Sequence, residues 1–209
     1  MQLTTSMRRA LITGAAATVL FAGAGGAVAA PSHTSPAAAR PVAAAPSPYG
    51  QLQPLAALSA ERVATGDLVA AAKWGTGGPI DDPAREQVVL DAVAAQARQL
   101  GADPEVTVRI FRDQIEASKV VQRGLHRAWQ ADPSQAPAER PDLDEVRQEI
   151  NRINGALVRA IADSPAARSA PYCGPLLTAA AVRVGHERHI DGLHAAALAR
   201  SLRSVCGGA

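Results

Sequence analysis

The sequence predicts an all-α fold: a single-domain helical bundle of about six helices with one disulfide. Three observations predict it. Alanine is abundant and clusters of β-branched residues are few. Apolar residues recur three and four positions apart, and no strand-like alternation lasts more than a few residues. Helix-start signals stand at Asp82-Pro83 and Asp103-Pro104, with aspartate as cap and proline at the first helical position. No internal repeat is visible.

The start of the chain is not part of the bundle. Met7-Arg8-Arg9 is a short basic stretch, Ala10 to Gly26 is apolar, and Ala27-Val28-Ala29 is a small-residue cleavage pattern. Residues 1–29 read as a signal peptide, the apolar run being short for a membrane span. Arg8-Arg9 reads as an ordinary basic n-region or as a twin-arginine signal. Residues 30–48 are rich in Ala, Pro and Ser and read as a linker, since that composition cannot bury a core. Residues 49–209 remain, about the size of one domain.

Net charge is +2 and aromatic content 3 %, with no basic run or stacking platform. This excludes nucleic acid as a partner. No second long apolar segment occurs, so the mature chain is expected to be soluble and free of the membrane. The two cysteines, Cys173 and Cys206, are expected to pair in an exported chain.

The first helix is expected from about Tyr49 to Trp74, with Leu55, Leu58, Arg62, Val69 and Lys73 on one stripe. Arg62 and Lys73 are eleven residues apart, close to three turns, and so share a face. Gly66 weakens this helix locally. Gly75-Thr76-Gly77-Gly78-Pro79 is a loop. The second helix starts after Asp82 and stops at Gly101. Its inward face is Arg85, Val88 or Val89, Ala92, Val93 and Gln96. A cation in the first turn, as Arg85 is, opposes the helix dipole, while a helix N-terminus beside an arginine makes an anion site.

The third helix runs from Asp103-Pro104 to about Gln130, on the stripe Phe111, Gln114, Ser118, Val121, Gln122, Leu125 and Trp129. Ser118 and Gln122 lie one above the other. A Pro/Ala loop leads to the fourth helix, from Pro141-Asp142 to about Ile161. Its stripe is Leu143, Val146, Arg147, Ile150, Ile153, Asn154, Leu157 and Ile161. One straight helix would hold Cys173 and Cys206 roughly 50 Å apart, whereas a disulfide needs Cα atoms within about 7 Å. The segment must therefore fold back, with its break near Gly185 or Gly192. His186, His189 and His194 fall here without a metal-ligand spacing, so no metal is expected.

Arg62, Lys73, Arg85 and Arg147 thus stand on apolar stripes. A charge taken out of water needs a partner. The missing partner is expected to be a small dianion that is the substrate.

The run Lys73-Trp74, Pro79-Ile80-Asp81-Asp82, Arg85-Glu86 and Gln114 through Gln122 resembles the helical (AroQ-type) chorismate mutases, in particular their exported gamma subclass. The resemblance covers about Leu52 to Cys206 and includes the Cys173–Cys206 spacing. It implies an all-helical homodimer whose active site lies within one chain. It also assigns roles. Arg62, Arg85 and Arg147 hold the carboxylates of chorismate, and Ser118 contacts one of them. Lys73 bonds a carboxylate and the ether oxygen, and Gln122 donates to that oxygen. Asp82 and Glu86 meet the ring hydroxyl. This chain departs from the mycobacterial type, which carries Glu at the place of Gln122, Gln at the place of Val89 and no acid at the place of Glu86.

The implied reaction is a one-substrate pericyclic rearrangement to prephenate, with no cofactor. Two other functions share the residue pattern: an isochorismate-pyruvate lyase on the same scaffold, and a non-catalytic exported interaction protein whose cations scatter over the surface.

Overall fold

The computed structural model describes residues 46–207. The signal peptide read over 1–29, and the linker as far as residue 45, lie outside the described residues. Among the described residues there are seven α-helices, one short 3-10 turn and no strand. They are α1 (Pro48–Lys73), α2 (Pro83–Gln99), α3 (Pro104–Ala131), a 3-10 turn (Pro133–Gln135), α4 (Leu143–Ala162), α5 (Pro165–Ser169), α6 (Cys173–Glu187) and α7 (Gly192–Ser201).

Local chemistry sets the starts of the long helices. Ser47, Asp82, Asp103, Asp142 and Asp191 each accept a hydrogen bond from a backbone N–H in the first turn of the helix that follows. Proline occupies the opening of α1, α2 and α3, where its missing N–H costs nothing. The short α5 had no periodic signal of its own, because five residues are too few to show one.

Helix α1 is the central rod and packs against α3, α4, α6 and α7, while α2 lies across α3 and α4. Leu52, Leu55, Ile110, Phe111, Ile153, Leu157 and Ile161 are buried in the core between them. Full burial of one such side chain is worth about 1.5–3 kcal/mol. The alanines also have a packing role, since Ala56, Ala70, Ala97, Ala117, Ala180 and Ala197 are all fully buried. Small side chains at these crossings let the helix axes approach.

Gly66 serves the same end, beyond being a weak point in α1. A Cβ built there would stand 3.0 Å from Val121 Cβ and Cγ1 on α3. On α2 the inward residue is Val89, whereas Val88 is 56 % exposed. Ala92 is also exposed, and Ala94 and Ala97 take the buried face instead.

The expected hairpin and disulfide are present. Cys173 and Cys206 are bonded, with Cα atoms 5.7 Å apart. The break, however, lies between the two glycines rather than at either. His189 adopts a positive φ of 51°, Ile190 N–H donates to Gly185 O at 3.1 Å, and Asp191 caps α7. Gly185 stays helical under the Ile190 side chain, and Gly192 opens α7. His186 and His189 are exposed. His194 is instead half-buried, at 2.8 Å from Asp67 Oδ1 and 2.9 Å from Asp191 Oδ1. Asp113, buried on α3, pairs with Arg200 and accepts from Ser204 N–H at 2.9 Å, which ties the end of the chain to the bundle.

The α1–α3 crossing yields a test. Gly66→Val is expected to lower the free energy of unfolding by about 1–3 kcal/mol, because the stiff Val121 side chain cannot turn aside. Urea unfolding followed by circular dichroism reads this, and an unchanged midpoint would show that the crossing has slack.

Candidate active site

A cleft of about 700 Å³, counted out to its open mouth, lies among α1, α2, α3 and α4. All eight residues expected to bind the dianion line it: Arg62, Lys73, Asp82, Arg85, Glu86, Ser118, Gln122 and Arg147. Val69, Ile80, Val89, Ile115, Leu143 and Ile150 supply apolar wall. Aliphatic walls exclude water and so strengthen electrostatic contacts inside the cleft.

Arg62 sits mid-way along α1 and is 5 % exposed. Its Nε donates to Asn154 Oδ1 on α4 at 2.8 Å, and Nη1 donates to the Gln114 carbonyl on α3 at 2.7 Å. Both partners are neutral. Burial therefore pulls its pKa down to about 10. Three turns on, Lys73 closes α1, and its Nζ donates to the Pro79 carbonyl at 2.8 Å. Burial lowers its pKa, Asp82 raises it, and the facing charge of Arg147 lowers it again. Two cations from α1 and α4 therefore face each other across the cleft.

Arg85 enters from the first turn of α2, where its own N–H donates to Asp82 Oδ1 at 3.0 Å. Its guanidinium is half-buried and makes no ion pair among the described residues. Arg147 does have a partner, since Nη1 lies 2.8 Å from Asp144 Oδ1, an exposed acid one turn away. Such a surface pair is weak and easily exchanged.

Helix α3 brings a neutral pair. Gln122 Nε2 is 3.1 Å from Ser118 Oγ and 3.3 Å from the Ser118 carbonyl, while its buried Oε1 has no partner. In this placement Ser118 Oγ accepts from the amide and keeps its own proton, and the second Nε2 proton is held only by the longer contact to the Ser118 carbonyl. Gln114, on the same stripe, belongs elsewhere: it donates to Ser59 Oγ at 2.7 Å and to the Ser201 carbonyl at 3.2 Å, joining α3 to α1 and α7.

One wall of the cleft carries acid. Glu86 Oε1 accepts from Asp82 N–H at 3.3 Å and lies 2.8 Å from Lys119 Nζ. Asp81 is gripped by Arg123 Nη2 at 2.7 and 2.8 Å. Lys119 lines the cleft, yet sequence reasoning passed over it. It stands one residue off the apolar stripe of α3, and its only sequence cue was Glu116 three positions earlier. Asn154 was on its stripe, but nothing local marked it as the partner of Arg62.

The lining thus holds five cations against two carboxylates. A site of this kind binds a small anion with more than one negative group, and donors such as Gln122 and Lys73 can then meet charge that develops between those groups.

Comparison with known proteins points the same way. Residues 53–123 match the family model "Chorismate mutase type II". That span runs from within α1 to within α3 and takes in every lining residue named above except Leu143, Arg147 and Ile150 on α4. The chain is 39 % identical over 155 residues to the secreted chorismate mutase of Mycolicibacterium smegmatis, covering 74 % of this chain and 86 % of that protein. It is 34 % identical to the secreted chorismate mutase of Mycobacterium tuberculosis, covering 75 % of this chain and 78 % of the relative. Among solved structures, the chorismate mutase of Burkholderia thailandensis superposes with a TM-score of 0.71 at 33 % identity, over 75 % of this chain and 99 % of the other.

Proposed function

This chain belongs to the type II chorismate mutases, and we propose that its cleft converts chorismate to prephenate by a cofactor-free pericyclic rearrangement. One observation carries the reading. Arg62, Lys73, Arg85 and Arg147 converge on a single cleft, and the first three make no ion pair with a carboxylate among the described residues. A scattered surface charge has no such geometry, so the non-catalytic reading is set aside.

In this reading the enzyme has two tasks. It folds the enolpyruvyl arm over the ring, and it stabilises negative charge on the ether oxygen as the C–O bond stretches. Arg62, Arg85 and Arg147 grip the two carboxylates, because guanidinium forks match carboxylate oxygens. Ser118 contacts a carboxylate. Lys73 leaves the Pro79 carbonyl for a carboxylate and the ether oxygen, and Gln122 donates to that same oxygen through its second Nε2 proton. Asp82 and Glu86 meet the ring hydroxyl. Val89 adds only apolar wall. No proton leaves the substrate, so no general base is required.

The protein is exported, a reading supported by the leader pattern over residues 1–29 and by the two relatives named as secreted. Among the described residues no helix is long and apolar enough to cross a membrane. The mature chain, a domain from about residue 49 behind a linker, is proposed to be a homodimer free of the membrane. Sedimentation of the mature protein checks this, and a monomer mass at assay concentrations would remove the dimer from the reading.

The activity itself is tested by supplying chorismate and isochorismate separately and following product by absorbance. Prephenate from chorismate is expected, and pyruvate from isochorismate alone would favour the lyase. Lys73→Ala is expected to lower kcat by several hundred-fold with the fold kept, in line with the loss of about 10²–10³ for one such donor. A variant within tenfold of wild type would remove Lys73 from the chemistry.

Gln122 donates at every pH. Activity should therefore hold from neutral to mildly basic pH and decline only as Arg62 and Lys73 lose their protons. For Lys73 that loss comes earlier than for an exposed lysine, because burial lowers its pKa. Gln122→Glu must be protonated to donate, so its activity should fall with rising pH through the neutral range. Superimposable pH profiles for the two proteins would count against the role of Gln122.

A further inference from the structure

Lys119 lines the cleft one residue past Ser118, and none of the roles above uses it. Its side chain is only 9 % exposed, and Nζ lies 2.8 Å from Glu86 Oε1, 2.8 Å from Glu116 Oε1 and 3.2 Å from Asp81 Oδ1. Glu116 accepts its hydrogen bond, and Glu86 and Asp81 pair with it as ions. Three carboxylates thus already offset the Lys119 charge, whereas Arg62, Lys73 and Arg85 have no ion pair among the described residues.

Glu86 is the lining residue that Lys119 touches. Its two oxygens differ. Oε1 receives both the Lys119 ammonium and Asp82 N–H. Oε2 accepts no hydrogen bond among the described residues. The charges around the pair come from every neighbouring element. Asp81 and Asp82 lie on the loop, Arg85 on α2, Glu116 and Arg123 on α3, Lys73 on α1 and Arg147 on α4. Arg123 is held by Asp81. A carboxylate facing a dianion is repelled by it unless a cation offsets its charge.

We propose that Lys119 is a positioning residue for the rearrangement: it anchors Glu86 through Oε1 and leaves Oε2 as a bare carboxylate oxygen that accepts the ring hydroxyl of the substrate. The proposal rests on the reading of the cleft as a chorismate mutase site. It makes Glu86 an acceptor only, so the cleft prefers a substrate with a hydroxyl donor at that place. A protonated Glu86 would lose that preference. It also explains how an acid can work in a cleft built to hold a dianion: its charge is offset at Oε1 by Lys119.

The test is the pH dependence of kcat/KM for wild type, Lys119→Met, Lys119→Arg and Glu86→Gln, with the fold of each checked by circular dichroism. Lys119→Met is expected to lose about tenfold at neutral pH and more at acidic pH, because Glu86 is then left without the cation that holds its charge and its position. Lys119→Arg keeps the charge and should recover to within about threefold. Glu86→Gln should lose about tenfold and show no acid limb, and adding Lys119→Met to it should cost less than about threefold more. A folded Lys119→Met whose profile keeps the wild-type shape overturns the proposal. Should that variant not fold, Glu86→Gln decides: wild-type activity in it also overturns the proposal. A wild-type protein with no mutase activity would instead overturn the functional reading, and this proposal with it.

Discussion

Positive charge buried without an acid constrains the rest of this molecule. Arg62 stands where α1 crosses α3 and α4, and among the described residues it is met there only by an amide oxygen and a main-chain carbonyl. Neutral oxygens satisfy its hydrogen bonds but do not cancel its charge. Burial accordingly pulls its pKa down to about 10. Asn154 occupies a core position of α4 for this reason, and the cleft stays open beside the guanidinium.

The two sides of the cleft handle charge in opposite ways. Along α1 and at the start of α2, cations are left to neutral partners or to none. Along α3, Lys119 is paired with Asp81, Glu86 and Glu116, and Arg123 with Asp81. The loop between α1 and α2 joins the two sides. Its Pro79 carbonyl holds Lys73, its Asp81 is held by Arg123 and Lys119, and its last residue, Asp82, caps α2 and so sets the direction from which Arg85 enters. An anion drawn to Lys73 would therefore compete with a contact that fastens this loop.

Much of the arrangement was legible in the chain. Arg62 and Lys73 share a face because eleven residues span nearly three turns, and Ser118 and Gln122 share one because four residues span one turn. The stripes of α3 and α4 were read correctly for the same reason. On α2 the period alone left Val88 and Val89 open, since both lie near the stripe and only the position of α4 separates them. Gln114 shows the limit from the other side. It sits on the same stripe as Gln122, yet it bonds to Ser59 and the Ser201 carbonyl, away from the cleft. The hairpin break was sought at glycine, but Asp191 capping and a left-handed His189 made the turn, with the disulfide holding both arms.

By itself the sequence determined where the long helices begin and end, which face of each is apolar, and which polar residues interrupt that face. These depend on caps, prolines and a 3.6-residue period, all of which act within a few residues along the chain. Only the tertiary structure decided which of those polar residues are already paired. Arg62 with Asn154, Glu86 with Lys119 and Asp81 with Arg123 are partners from distant parts of the chain. Their meeting depends on the angles at which whole helices cross, and those angles follow from packing over the full length of each helix.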